Sequence, residues 1–147
     1  MAKRILIMGL PGSGKTTIAS LLAEKLGADH FNADAVRNQF NDWDFSKEGR
    51  IRQSLRMREL CDASTADYAI ADFVCPLPEM RNNFDAHYTV WLDTIQQGRF
   101  EDTNKLFVPP KAFDICITEM NADYWSDYIT LNLPIQQISN LISLDLL

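Results

Sequence analysis

Short apolar runs alternate with longer amphipathic segments along most of this chain. That alternation predicts βαβ units around a parallel sheet, because strands covered on both faces read as continuous apolar runs. Residues 5–8 (Ile-Leu-Ile-Met) form the first such run. A helix is predicted over 16–26, where Ile18, Leu21, Leu22 and Leu26 recur at helical spacing and Gly27 supplies the stop. A short strand at 29–32, a helix at 35–41 and a loop at 42–45 with two aromatics follow. Ser46 is placed to cap a helix over 47–63. Further strands are predicted at 68–71, closing on Asp72, at 88–92, closing on Asp93, and at 112–118. Pro76 and Pro78 break the chain before a short helix through Phe84, a helix runs from 121 to about 129, and a second short helix follows Pro134.

Composition narrows the class. The chain has 147 residues, 46% of them hydrophobic, which suits a single domain over 1–147 with a real core. The formal net charge of −6 argues against a general nucleic-acid binder, whose affinity rests on neutralising phosphates. The charge is split, however: ten basic and six acidic residues precede Glu59, and four basic and fourteen acidic follow from it onward. An anion site built from the N-terminal part is the expectation. Cys61, Cys75 and Cys116 show no metal-type spacing and read as reduced thiols. The run at 5–10 is too short for a signal segment, and the uncharged stretch 128–144 is interrupted by Asn132, Pro134, Gln136, Gln137 and Asn140. A soluble, cytoplasmic protein with no membrane partner is expected.

The chemistry is announced by Gly9-Leu10-Pro11-Gly12-Ser13-Gly14-Lys15-Thr16, which fits G-x-x-x-x-G-K-[ST] between a strand run and a helix. The glycines let successive N–H groups turn inward around a phosphate, and the helix start adds its positive dipole end. Lys15 is expected to reach the β and γ phosphates, the Thr16 hydroxyl to ligate Mg²⁺, and Thr17 to lie beside them. A nucleoside triphosphate with Mg²⁺ follows, ATP if the chain is a kinase; what the nucleotide serves does not follow.

Switch GTPases, motor ATPases and small-molecule kinases share this loop. Asn104-Lys105-Leu106-Phe107 lacks the Asp of a guanine motif, and the length suits a compact kinase. In parallel sheets ligands bind beyond the carboxyl ends of the strands, where Asp34 and Asp72 fall. Asp34 is the expected base for an acceptor hydroxyl, with Arg37 on the same helical face for the acceptor's anionic group. Asp72 is expected to reach Mg²⁺ through water. Residues 47–58 hold five of the fourteen basic residues and are read as part of the anion pocket. His30 and His87 read as structural or surface residues, and Trp43, Trp91 and Trp125 as packing groups. The tail 131–147 has two readings, a cover for the sheet or a homodimer contact.

The order of these motifs resembles the adenylylsulfate kinase family of P-loop kinases over residues 3–94. The loop is matched by Gly9 to Thr16, the family's D-x-x-R by Asp34 and Arg37, and its F-S-x-x-x-R-x-x-N by Phe45, Ser46, Arg50 and Gln53, with Gln for Asn. Its I-S-P-[FY]-R-x-x-R is met in part by Cys75, Pro76 and Arg81, with Leu77 where the family stacks an aromatic on adenine. The resemblance implies a five-stranded parallel α/β sheet of the nucleoside-monophosphate-kinase type. It also implies transfer to the 3′-hydroxyl of adenosine 5′-phosphosulfate, a step of sulfate assimilation, with Arg37, Arg50, Gln53, Cys75 and Arg81 around the acceptor and Phe45 against its base. The family's basic lid is shortened here to a segment offering Arg99 and Lys105, of which Arg99 is expected beside ATP. The alternatives are a P-loop kinase for another hydroxyl (a polynucleotide 5′ end, a sugar acid, an antibiotic) and a nucleotide-binding protein without transfer activity.

Overall fold

The computed structural model describes residues 1–96 and 101–133. The chain runs β1 (Lys3–Gly9), α1 (Lys15–Leu26), β2 (Asp29–Asn32), α2 (Ala33–Phe40), α3 (Lys47–Asp62), β3 (Tyr68–Asp72), α4 (Pro78–Phe84), β4 (Tyr88–Leu92), α5 (Glu101–Leu106), β5 (Ile115–Ile117) and α6 (Ala122–Asn132). The strands form one sheet in the order β2-β3-β1-β4-β5, with every neighbouring pair parallel. The parallel α/β sheet is the one that the apolar runs predict, and its five-stranded, P-loop kinase-like form is the one that the family resemblance implies.

Alternation along the strands divides the core. Ile5, Ile7, Ile70, Val90 and Leu92 face α1 and α6, joined by Ile18, Leu22 and Ile129. Leu6, Met8, Ala69 and Ala71 face the opposite layer, where Met57, Met80 and Phe84 cover them. Each large side chain so buried contributes about 1.5–3 kcal/mol. No helix among the described residues is long and apolar enough to cross a membrane.

Three of the differences from the predicted elements have a local reason. Helix α2 starts two residues early because the Asn32 side chain caps it, accepting from the Ala35 N–H at 3.0 Å. Strand β5 is three residues long because the Asp114 carboxylate accepts the Thr89 N–H at 2.7 Å and holds the chain in a turn until Ile115. Helix α5 lies where only a shortened lid was expected, with acidic Glu101 and Asp102 in its first turn, the signs that favour a helix N-terminus. The predicted helix after Pro134 and the tail reading fall outside the described residues.

The topology fixes where a ligand can sit. β1 leads out to edge strand β2, whereas β3 leads across to β4, so the two adjacent strands send their connections in opposite directions. The crevice beyond their carboxyl ends is the binding position of such sheets, and the glycine loop leaves β1 there.

Arg4 and His87 tie β1 to the segment before β4. The Arg4 backbone N–H donates to His87 Nδ1 at 2.9 Å and the His87 N–H donates to the Arg4 carbonyl at 2.8 Å. Burial, then the nearby Arg4 and Lys3 charges, push the imidazole pKa below its ordinary 6.5. The folded state therefore favours neutral His87, and the unfolded chain takes up its proton first as pH falls. Stability to urea is expected to drop as pH is lowered below 6.5. His87→Asn, which keeps an acceptor for the Arg4 N–H, should flatten that part of the profile; an unchanged slope would exclude His87 as its source.

Candidate functional site

A cavity of about 860 Å³ opens at the predicted crevice. Pro11, Gly12, Gly14, Lys15, Thr16 and Thr17 line it from the phosphate-loop side. Asn32, Ala33 and Asp34 come from the β2–α2 junction, Asp72, Phe73 and Val74 from the end of β3, and Trp43, Phe45 and Arg50 from the α2–α3 connection and α3. Asp102 and Thr103 of α5 also line it.

The loop's shape follows from its glycines. Gly12 and Gly14 hold φ of +88° and +100°, values that side-chain-bearing residues rarely adopt. At Gly9 a Cβ would lie 2.6 Å from the Leu92 carbonyl oxygen, so β1 and β4 approach each other only because none is there. Lys15 Nζ donates back to the Leu10 carbonyl at 3.0 Å, and Thr94 Oγ1 donates to the Ser13 carbonyl at 2.8 Å. The Ser13 hydroxyl is buried with no hydrogen-bond partner among the described residues. A buried polar atom left over inside an anion-shaped loop fits a site finished by a phosphate.

Beside the loop stands Asp72, 2% exposed at the end of β3. Its Oδ1 accepts from Asn32 Nδ2 at 3.1 Å and from Thr16 Oγ1 at 3.3 Å, and its Oδ2 from His30 Nε2. Hard oxygen donors on Thr16 and Asp72 suit Mg²⁺, which keeps several waters and takes few protein ligands. No group of three or more His, Cys, Asp or Glu side chains forms a self-sufficient metal cage among the described residues. Asp34, exposed in the first turn of α2, faces the same cavity.

The expected acceptor residues divide. Phe45 and Arg50 line the cavity. Arg37, Gln53, Cys75 and Arg81 do not, and the structure shows what occupies them. Arg37 is buried, donates to the Asp42 and Asp44 carbonyls and stacks 4.4 Å from the Phe45 ring centre. Burial pushes its pKa below the ordinary value. Gln53 donates to the Ala33 carbonyl and accepts from Arg56. Arg81 donates to the carbonyls of Cys75, Pro76 and Val108. Cys75 is buried with φ of +49°, and burial pushes its thiol up to about 12. Arg99 lies outside the described residues.

The basic run of α3 is likewise committed internally. Arg52 and Arg56 both reach the Asp42 carboxylate, at 2.8 and 3.1 Å, and Arg52 also pairs with Asp44. Arg50 differs: its Nε donates to the Phe45 carbonyl and its guanidinium lies in the cavity wall. The sequence reading missed His30, Asn32, Trp43 and Asp102. For the first two the signal was partial: residues 30 and 32 share one face of a strand, but the register that sets that face beside Asp72 is supplied by the fold. Trp43 carried one too: it is two residues from Phe45 in a polar loop, and the two rings lie 6.4 Å apart. It is 47% exposed.

Comparison with known proteins bears on the family and the fold. The AAA_18 family model, an AAA domain, matches residues 5–103, more than half of the chain. A putative adenylate kinase of Sulfurisphaera tokodaii is 27% identical over 141 residues, which cover 95% of this chain. The chain spans 65% of the length of that curated relative. Among solved structures, the APS kinase of Mycobacterium tuberculosis in complex with AMPPNP and APS superposes with a TM-score of 0.73 at 20% identity, covering 90% of this chain and 96% of that one. Shikimate kinase of Aquifex aeolicus gives 0.64 at 20% identity, over 92% and 98% of the two chains.

Two substitutions separate the loop from the cavity's far wall. Gly9→Ala sets a methyl against a backbone carbonyl and should cost about 1–3 kcal/mol in urea unfolding. Trp43→Ala, at an exposed position, should leave stability within about 0.5 kcal/mol. Equal losses in the two variants would contradict the close approach of Gly9 to β4.

Proposed function

We propose that this chain, which belongs to the AAA_18 family of AAA domains, is a kinase that moves the γ-phosphoryl group of MgATP to a hydroxyl of a small anionic acceptor. The observation that carries this reading is the convergence of Lys15, Thr16, Asp34 and Asp72 on one cavity that Trp43, Phe45 and Arg50 also line. Adenylylsulfate is the acceptor to which the sequence resemblance points, and the 1–147 chain is read as one kinase domain.

Each residue has a physical role in this scheme. The N–H groups of the Gly9–Thr16 loop and the start of α1 hold the β and γ phosphates, and Lys15 neutralises the charge growing between them. Thr16 would ligate Mg²⁺ and Asp72 would hold one of its waters; an ion bound there would screen the charge of the phosphates. Asp34 orients the acceptor hydroxyl and takes its proton. Arg50 meets the acceptor's anionic group, and Phe45 with Trp43 offers aromatic faces to a planar base. Trp43 supplies the aromatic surface that Leu77, which does not line the cavity, does not. Arg37 and Gln53 serve from behind, by holding the Phe45 loop and the start of α2. Asp102 and Thr103 of α5 face the cavity where the resembled family carries a basic lid, which favours slow closure over ATP.

A second reading is phosphoryl transfer to the phosphate of a nucleoside monophosphate. The aromatic wall favours it, and so does the 27% identity to a putative adenylate kinase.

ADP release should be followed with MgATP alone, with adenylylsulfate and with AMP. Adenylylsulfate is expected to raise the rate well above that of ATP alone. Asp34→Asn is expected to remove about 10²–10⁴-fold of that rate while MgATP affinity is retained. Acceleration by AMP alone would select the second reading, and no acceleration by either would overturn the kinase assignment for both acceptors.

A further inference from the structure

His30 has no part in the scheme above, yet it touches the buried carboxylate at its centre. In the β2–β3 register Asn32 lies opposite Asp72 and His30 opposite Ile70. Side chains of a strand alternate between faces, so His30 and Asn32 share the face on which Asp72 and Thr16 meet, and Phe31 between them packs into the other layer. Asn32 is the direct cross-strand neighbour of Asp72 and His30 the diagonal one. The two therefore grip different oxygens: Asn32 Nδ2 donates to Oδ1, and His30 Nε2 to Oδ2. The arrangement leaves Oδ1 beside the Thr16 hydroxyl.

We propose that His30 is a positioning residue for the magnesium site: by holding Oδ2 of Asp72 it fixes the carboxylate so that Oδ1 stands next to Thr16. This rests on the reading of the cavity as an MgATP site. A carboxylate anchored by one donor can rotate about χ2 and swing its free oxygen away, whereas donors on both oxygens fix the plane. Asp72 is 2% exposed, so water is a poor substitute for the lost donor. His30, with its side chain 18% exposed, reaches Asp72 from β2, the edge strand of the same sheet. Groups that orient metal-binding carboxylates in this way typically cost about 10–100-fold in metal affinity when removed.

The test is a thermal-shift titration of MgCl₂ at fixed ADP, with ADP alone and nucleotide-free protein as references, since a ligand bound to the folded state raises the midpoint according to its affinity. His30→Ala should require about tenfold more Mg²⁺ for the half-maximal rise, with the metal-free response to ADP unchanged. His30→Gln, whose Nε2 can donate to Asp72, should recover most of that loss. If both variants keep the wild-type Mg²⁺ dependence and differ only in the midpoint of the nucleotide-free protein, His30 is a packing residue and the proposal fails. If the wild type itself shows no Mg²⁺-dependent response to ADP, the reading of the cavity fails with it, and the two failures are distinguishable.

Discussion

One buried carboxylate sets the terms for the rest of the site. Asp72 ends β3 at the sheet's switch point, in register with Ile7 of β1 and Asn32 of β2. A charge so placed costs several kcal/mol unless it is met by donors. The donors are three side chains from two elements: Thr16 at the start of α1, and Asn32 and His30 from β2. That requirement explains how a four-residue edge strand is held in place, and why α2 begins where it does. Asn32 serves twice, capping α2 with its oxygen and holding Asp72 with its nitrogen, so Asp34 is delivered to the cavity by the same residue that steadies the carboxylate.

A second carboxylate organises the opposite wall. Asp42 collects Arg52 and Arg56 from α3, and its carboxyl is held well below the usual range, chiefly by the hydrogen bond from Arg52. Arg37 fastens the same connection through the carbonyls of Asp42 and Asp44 and stacks on Phe45. The outcome is a stiff loop that presents Trp43 and Phe45 to the cavity. The basic N-terminal half thus acts in two ways. Lys15 and Arg50 face the ligand space directly, and the other arginines of this wall build the surface that surrounds it.

How much of this was legible in the sequence follows from the range of the interactions. The strands were readable because burial on both faces demands unbroken apolar runs such as Ile5 to Met8. The phosphate loop was readable because its chemistry is local, residing in backbone turns that only glycines make, next to one Lys and one Thr. Asp34 and Asp72 were readable as strand-end carboxylates. The arginines were not, since 37, 50, 52, 56 and 81 look alike as side chains and their partners are chosen by the fold. Arg81, for example, spends its guanidinium on carbonyls as far away as Val108. The partners of His30 depended on a strand register that no local pattern records.

The central claim is that Thr16 and Asp72 stand together to receive magnesium on a phosphate held by the Gly9–Thr16 loop. Calorimetric titration of AMPPNP, with and without Mg²⁺, into the wild type and into Thr16→Val tests it most directly. Magnesium should tighten binding to the wild type by tenfold or more, about 1.4 kcal/mol, and should do little for the variant, which keeps the shape of Thr16 and lacks its hydroxyl. Binding that is equally tight with and without the metal in both proteins would contradict the claim.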